Sequence, residues 1–300
     1  MNIILTHSKL LLASRLKWTM SRTRAPLIIS FILLVSACSF KTIYNRLDYL
    51  IPSYVEGMVS LDDVLEKKVE QRADLLVRWH RNTQLTQYAD LLRTIQQDVE
   101  SPLDVQRVLQ HTATIQALWR ALEAKINEEM AQLLPMLNGE QREELFESID
   151  DKNEDFYDEY VDLNEDERIE QYIETTTESY ENWLGSLTAA QEQAIEKSAS
   201  GLISSAALRL TQRRVWQRNI QEILDSGDTQ EVKTLRLQQF FDGFNLNEQP
   251  QLAAASETNI KTLARLTVEI INQATTEQKS FFKNKTGEYI EIFTELSENR

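Results

Sequence analysis

Apolar residues recur every three or four positions along most of this chain, which is the helical period. Leu61, Val64, Leu65, Val69, Ala73, Leu76 and Trp79 hold one face, and Tyr88, Leu91, Leu92, Ile95 and Val99 resume it after a break near Asn82-Thr83. The longest stripe runs from Val105 through Val108, Leu109, Ile115, Leu118, Trp119, Leu122, Ile126 and Met130 to Leu133, and ends at Pro135. Ser101-Pro102-Leu103-Asp104 ahead of it reads as an N-cap, a proline at the first helical position and an acid at the third. The spacing predicts further helices over 138–158, 164–184, 188–224, 229–242, 256–273 and 276–297. Turns are expected at Asp225-Ser226-Gly227-Asp228 and Asp242-Gly243-Phe244-Asn245. Alternating β-branched runs are missing. The expected fold is therefore all-α, an elongated multi-helix bundle in which each amphipathic helix buries one narrow stripe.

Composition sharpens this. Glycine and proline together supply 12 of 300 residues, about a third of their usual combined share of roughly 12%. They stand between long stretches rich in Leu, Gln, Glu, Arg and Ala, which are good helix formers.

The single cysteine, Cys38, ends the stretch "FILLVSACSF". Before it come five basic residues (Lys9, Arg15, Lys17, Arg22, Arg24), no acidic one, and an apolar run over 27–35. A positive start followed by a short apolar core is the layout of a secretory signal. The run falls short of the roughly 20 apolar residues a membrane span needs. Val35-Ser36-Ala37-Cys38 resembles the lipobox of bacterial lipoproteins, which implies cleavage between Ala37 and Cys38 and acylation of Cys38. A lone thiol with no disulfide partner in an oxidising envelope fits that fate. Each buried CH₂ of an acyl chain adds about 0.8 kcal/mol of membrane affinity, so the expected partner of this end is the membrane. Ser39, in place of an aspartate, implies by the same resemblance the outer membrane, with the body in the periplasm. Met20 opens a complete signal by itself and is a second candidate start. The expected organisation is a signal over 1–37, a lipidated tether over 38–60, and one helical domain over 61–300. In the tether, Tyr44, Leu47, Tyr49, Leu50 and Tyr54 either meet the lipid interface or dock on the body.

The net charge of −15 becomes about −20 once a leader with five cations is removed. Such a chain is repelled by nucleic acid, which is excluded as a partner.

Two segments repeat fifty residues apart. "LLPMLNGEQREELF" and "WLGSLTAAQEQAI" align Leu137 with Leu187, Asn138 with Thr188, and Gln141 with Gln191. A third copy, "NQATTEQKSFF", aligns Thr275 and Gln278 but carries Ala274 in place of the leucine. Each is a capping box: the first residue accepts from the third helical amide, and the glutamine reaches back to the cap's own N–H. Each cap is worth about 1 kcal/mol and fixes where a helix starts. Leu187-Thr188-Ala189-Ala190-Gln191 is also similar to the repeated Leu-Thr-x-x-Gln motif of the Spy and CpxP group of helical periplasmic proteins. That resemblance implies an ATP-independent chaperone that cradles partly unfolded clients. Over more of its length, through "YNRLDYLIPSYV" (44–55), "RWHRNTQLTQYADLL" (78–92) and the lipobox, the chain resembles a family of uncharacterised proteobacterial lipoproteins. This implies a location and a helical fold, and no activity.

Other candidate chemistry is weaker. Fourteen carboxylates lie between Glu143 and Glu170. Asp151, Asn153, Asp155 and Asp162 imitate the spacing of a calcium loop, with Phe156 where the sharp turn needs glycine. A solvated helix face, with Phe156, Tyr160 and Leu163 inward, is the simpler reading. Arg209, Arg213, Arg214 and Arg218 recur about one turn apart, ready to pair with this acidic stretch or to attract acidic clients. His80 and His111 stand outside any metalloprotease or hydrolase motif, and His80 reads as a packing or interface residue. Glu147-Ser148 resembles the pair used by lytic transglycosylases on two common residues only. No catalytic residue, metal or cofactor is expected.

Two functions stay open. One is an envelope-protein-binding lipoprotein with Spy-like chaperone activity; the other is a structural or adaptor lipoprotein of an envelope complex. Self-association is compatible with either.

Overall fold

The computed structural model describes residues 37–244 and 249–298. The leader over 1–36, with its apolar run and Val35-Ser36, lies outside the described residues, as does Asn245 of the second expected turn. Among the described residues α-helices follow one another through short links, with no strand. They are α1 (Ala37–Tyr44), α2 (Leu47–Glu56), α3 (Asp63–Thr83), α4 (Leu85–Asp98), α5 (Val105–Leu133), α6 (Gly139–Phe156), α7 (Glu165–Leu184), α8 (Ala189–Ala199), α9 (Ala206–Asp225), α10 (Gln230–Gly243), α11 (Pro250–Asn272) and α12 (Thr276–Glu298). A 3₁₀ turn (Leu134–Met136) follows α5, and a π turn (Tyr157–Val161) follows α6. The chain is an all-α multi-helix bundle.

Among the described residues many of the buried apolar side chains gather in three clusters, as narrow stripes dictate. The largest joins Val99, Leu103, Val108, Leu184, Ile195, Ile270 and Phe282 from the ends of several helices. A second joins Ala131, Ile220, Ile223, Leu224, Leu237 and Phe241 at the far end of α5. With 29 residues, α5 is about 43 Å long at 1.5 Å per residue, long enough to link the two. The third holds Tyr44, Leu85, Ile292 and Leu296, where α12 lies along α4 and receives α1.

Three sequence expectations need correction. The helix read over 188–224 is two helices, broken across 200–205. Ser200, Gly201, Ser204 and Ser205 are poor helix formers, and Asn259 on α11 takes both backbone groups of Ile203, accepting from its N–H at 2.8 Å and donating to its carbonyl at 2.8 Å. The long helix α5 is capped by Asp104, whose carboxylate accepts from Arg107 N at 2.8 Å, rather than by Ser101. Here Asn272, the last residue of α11, accepts from Leu103 N at 2.8 Å and donates to Leu103 O at 2.9 Å. These two bonds fix Leu103 in the non-helical link before α5. Finally, the helix expected from 256 begins at Pro250, which occupies its first turn, where a missing N–H costs nothing.

Candidate functional site

All three repeat glutamines are nearly closed to solvent: Gln141 is 6%, Gln191 0% and Gln278 5% exposed. Each makes the local bonds the spacing predicts. Asn138 N donates to Gln141 Oε1 at 3.0 Å, Thr188 N to Gln191 Oε1 at 2.9 Å, and Thr275 N to Gln278 Oε1 at 3.0 Å. The return bonds from the glutamine N–H groups to Asn138 Oδ1, Thr188 Oγ1 and Thr275 Oγ1 are also present.

The side-chain NH₂ groups do something the spacing does not reveal. Gln191 Nε2 donates to Gln278 Oε1 at 3.0 Å, and Gln278 Nε2 donates back to Gln191 Oε1 at 2.8 Å. The remaining N–H of each goes to a carbonyl, Ile270 O for Gln191 and Ser186 O for Gln278. Both amides thus use both donors and two or more acceptor bonds, the condition for placing a primary amide in a low-dielectric interior. The starts of α8 and α12 are locked head to head by their own caps.

Gln141 repeats the arrangement elsewhere. Its Nε2 donates to Ser60 O at 2.8 Å, two residues before Asp62, the N-cap of α3. Ser186 likewise lies two residues before Thr188, the N-cap of α8. The α6–α3 junction is therefore built like the α12–α8 junction, but Leu65 stands at the third helical position of α3 and supplies no amide. Glu144 compensates: its carboxylate accepts from Ser60 N at 2.7 Å and Ser60 Oγ at 2.8 Å. These bonds hold its carboxyl below the usual glutamate range. A fourth capping box, Asn164 with Glu167, starts α7. Its signal, Asn-x-x-Glu, is legible in the sequence.

The aromatic N-terminal segment is docked. Phe40 stacks on Tyr44 and meets Phe293 and Tyr289 edge-on, and Lys41 pairs with Glu295. Tyr44 is 4% exposed, its hydroxyl 2.9 Å from His80 Nδ1, while His80 Nε2 is 3.2 Å from the Tyr88 hydroxyl. Burial pushes His80 down to about 4 and Tyr88 up to about 12. His80 is a packing residue at an internal junction. Ala37 and Cys38 open α1, and only their backbone is described.

The other candidates stand apart. Asp151, Asn153 and Asp155 lie on α6, and Asp162 directly follows the π turn, so no calcium-type loop forms. Asn153 is buried and donates to Gln217 Oε1 at 2.8 Å. Phe156, Tyr160 and Leu163 are half-buried, with the Phe156 and Tyr160 rings 5.0 Å apart. Among the described residues no three His, Cys, Asp or Glu side chains converge as metal ligands. Arg213 caps the Phe156 ring at 4.9 Å, and Arg209 Nε donates to Ser205 Oγ at 3.0 Å. Burial lowers the pKa of both arginines. His111 and Arg107 share Asp98 Oδ2, at 2.7 and 2.6 Å. Glu147 is exposed on α6. An open depression of about 430 Å³ lies between α3, α5 and α10, lined by Trp79, Lys125, Phe241 and Asp242 among others.

No helix among the described residues is long and apolar enough to cross a membrane. No curated protein and no solved structure matches the chain. A family model does match, over residues 58–240, a span that takes in Ser60, Gln141 and Gln191 and starts beyond Cys38. The chain therefore belongs to a family of unknown function, DUF6279.

Proposed function

We propose that this protein is a lipid-anchored component of the bacterial envelope whose helical body serves as an adaptor for other envelope proteins. The observation that carries the anchor is the single cysteine at the end of a basic-then-apolar leader, in the lipobox-like Val35-Ser36-Ala37-Cys38. The adaptor role draws support from the repeat motif itself. Its glutamines point inward and are saturated by partners of the same chain, so their chemistry is spent on fixing helices rather than offered to clients.

The anchor is tested by the mass of the mature N-terminus. Acylated Cys38 as the first residue is the expected result, with no acylation in Cys38→Ala. A chain that keeps residues 1–37 refutes it. A Spy-like holdase remains the second reading, favoured by the full Leu187-Thr188-x-x-Gln191 match. It requires the body to suppress aggregation of several unrelated unfolded clients near equal molarity without ATP, whereas an adaptor gives no suppression and one stoichiometric partner.

A further inference from the structure

The body is joined to its anchor with almost no slack. Phe40 is held by Phe293 and Tyr289, and Lys41 by Glu295, so only Ser39 separates Cys38 from residues fixed to α12. Two residues span at most about 7 Å. The segment after Cys38 is thus docked on the body, α1 on α12 and α2 on α3, and whatever receives Cys38 lies close to the start of α1.

That edge carries an unusual share of exposed apolar surface. Twelve large apolar side chains are exposed among the described residues, and four of them, Ile43, Tyr49, Leu50 and Tyr54, fall between positions 43 and 54. On α2, Tyr49, Ser53, Leu50 and Tyr54 fill an arc of about 140° at 100° per residue, all of them exposed. Leu47, Ile51 and Val55 occupy the next part of the wheel and are partly buried. Arg46 is exposed beside this arc, and Lys152 Nζ stands 5.5 Å over the Tyr54 ring. Tyrosines mixed with leucine, with Arg46 and Lys152 beside them and one acid, Glu56, at the edge of the arc, suit a helix lying in a lipid headgroup layer.

We infer that the exposed face of α2, with Ile43, rests on the lipid surface that holds Cys38 and so sets a fixed orientation of the body on the membrane. The occupant follows from where the chain leads. Immediately before α1 come either acyl chains on Cys38 or the apolar run over 27–35, and both belong in lipid. Because the remainder of the chain is acidic, the face suits a zwitterionic surface better than an anionic one. The inference rests on the anchor proposed above, and the test separates the two.

The full chain, purified from membranes with its native N-terminus, is reconstituted into phosphatidylcholine vesicles after spin-labelling Leu50→Cys or, as a reference, Leu235→Cys. Leu235 on α10 is 54% exposed. The label at 50 is expected to show a several-fold higher ratio of oxygen to nickel-chelate accessibility than the label at 235. Equal, water-like ratios in vesicles that retain protein with acylated Cys38 overturn the orientation and leave the anchor standing. A label at 50 shielded from both quenchers means that protein covers the face, and also overturns it. Recovery of unacylated chain in the soluble fraction overturns the anchor and the orientation together.

Discussion

Gln191 and Gln278, 87 positions apart, exchange two amide hydrogen bonds of 3.0 and 2.8 Å in an interior where Gln191 has no solvent exposure. Each glutamine belongs to a capping box that starts its own helix, so one side chain both ends the local problem of unsatisfied N–H groups and solves the tertiary problem of how two helix starts meet. Because donors and acceptors on the two amides match one for one, removing either partner strands the other.

Gln278→Ala is accordingly expected to destabilise the fold by about 3 kcal/mol, since it removes a cap and leaves buried groups on Gln191 and Ser186 unpaired. Gln191→Ala should cost a similar amount. The double variant should fall short of the sum by about 1–2 kcal/mol, because the second change removes groups already orphaned by the first. Urea denaturation of the four proteins measures this coupling, and strict additivity refutes the paired arrangement.

Ion pairs on this strongly charged surface should differ sharply in weight. Glu129 is 5% exposed and accepts from Arg72 at 3.1 Å and Lys125 at 2.8 Å, tying α3 to α5. Glu129→Ala leaves two partly buried cations without their shared carboxylate and is expected to cost about 3 kcal/mol. Glu257 pairs with Lys261 one turn along α11, both exposed. Glu257→Ala should leave the urea midpoint unchanged. Equal effects of the two substitutions sink the distinction.

The link between α8 and α9 offers a finer test. Asn259 both accepts from Ile203 N and donates to Ile203 O. Asn259→Asp keeps the acceptor and loses the donor, whereas Asn259→Ala loses both. Amide exchange at Ile203 should accelerate strongly in the alanine variant and only partly in the aspartate variant. The same rate in all three proteins means the clamp does not hold the link.

These contacts also mark what was legible in the sequence. The helical period, the low glycine and proline content and the starts at Asn138, Thr188 and Thr275 are consequences of local chemistry, and the structure carries them as read. Apart from the start at Pro250 and the box at Asn164, what was not legible shares one physical character. Ser60, Ser186, Leu103 and Ile203 are each held through the backbone by a side-chain amide 56 to 169 positions away. A backbone carbonyl is present at every residue, so nothing in the identity of those four announces that it will be claimed. The break in the 188–224 stretch had a local signal in Ser200-Gly201 and Ser204-Ser205, while the partner that holds it, Asn259, did not. Of the candidate site, the repeat residues were readable as caps, while their convergence was not. Docking of the aromatic segment against α12 depended on Phe293 and Tyr289, some 250 positions from Phe40, and was readable only as one of two alternatives.

That docking should carry a pH signature. In the folded protein His80 titrates at about 4 instead of 6.5, because burial between Tyr44 and Tyr88 disfavours its charged form. The groups facing it are the two tyrosine hydroxyls, which stay neutral as burial pushes both up to about 12, and Arg81, whose guanidinium lies 5.5 Å from the Tyr44 ring. Between pH 6.5 and 4 the unfolded chain binds a proton at His80 that the folded chain does not. Stability therefore rises with pH across this window, being complete above 6.5 and lost progressively as the pH falls towards 4. A shift of that size corresponds to about 3 kcal/mol. His80→Gln, which cannot titrate but retains a donor and an acceptor for the two hydroxyls, should be less stable than the parent at pH 7 and show a flatter dependence between pH 6.5 and 4. Urea midpoints of both proteins across that range decide the matter. Parallel curves mean that His80 is not the buried neutral group linking α1 to the body, and a steeper curve for the parent means that acid weakens the contact between α1 and the body.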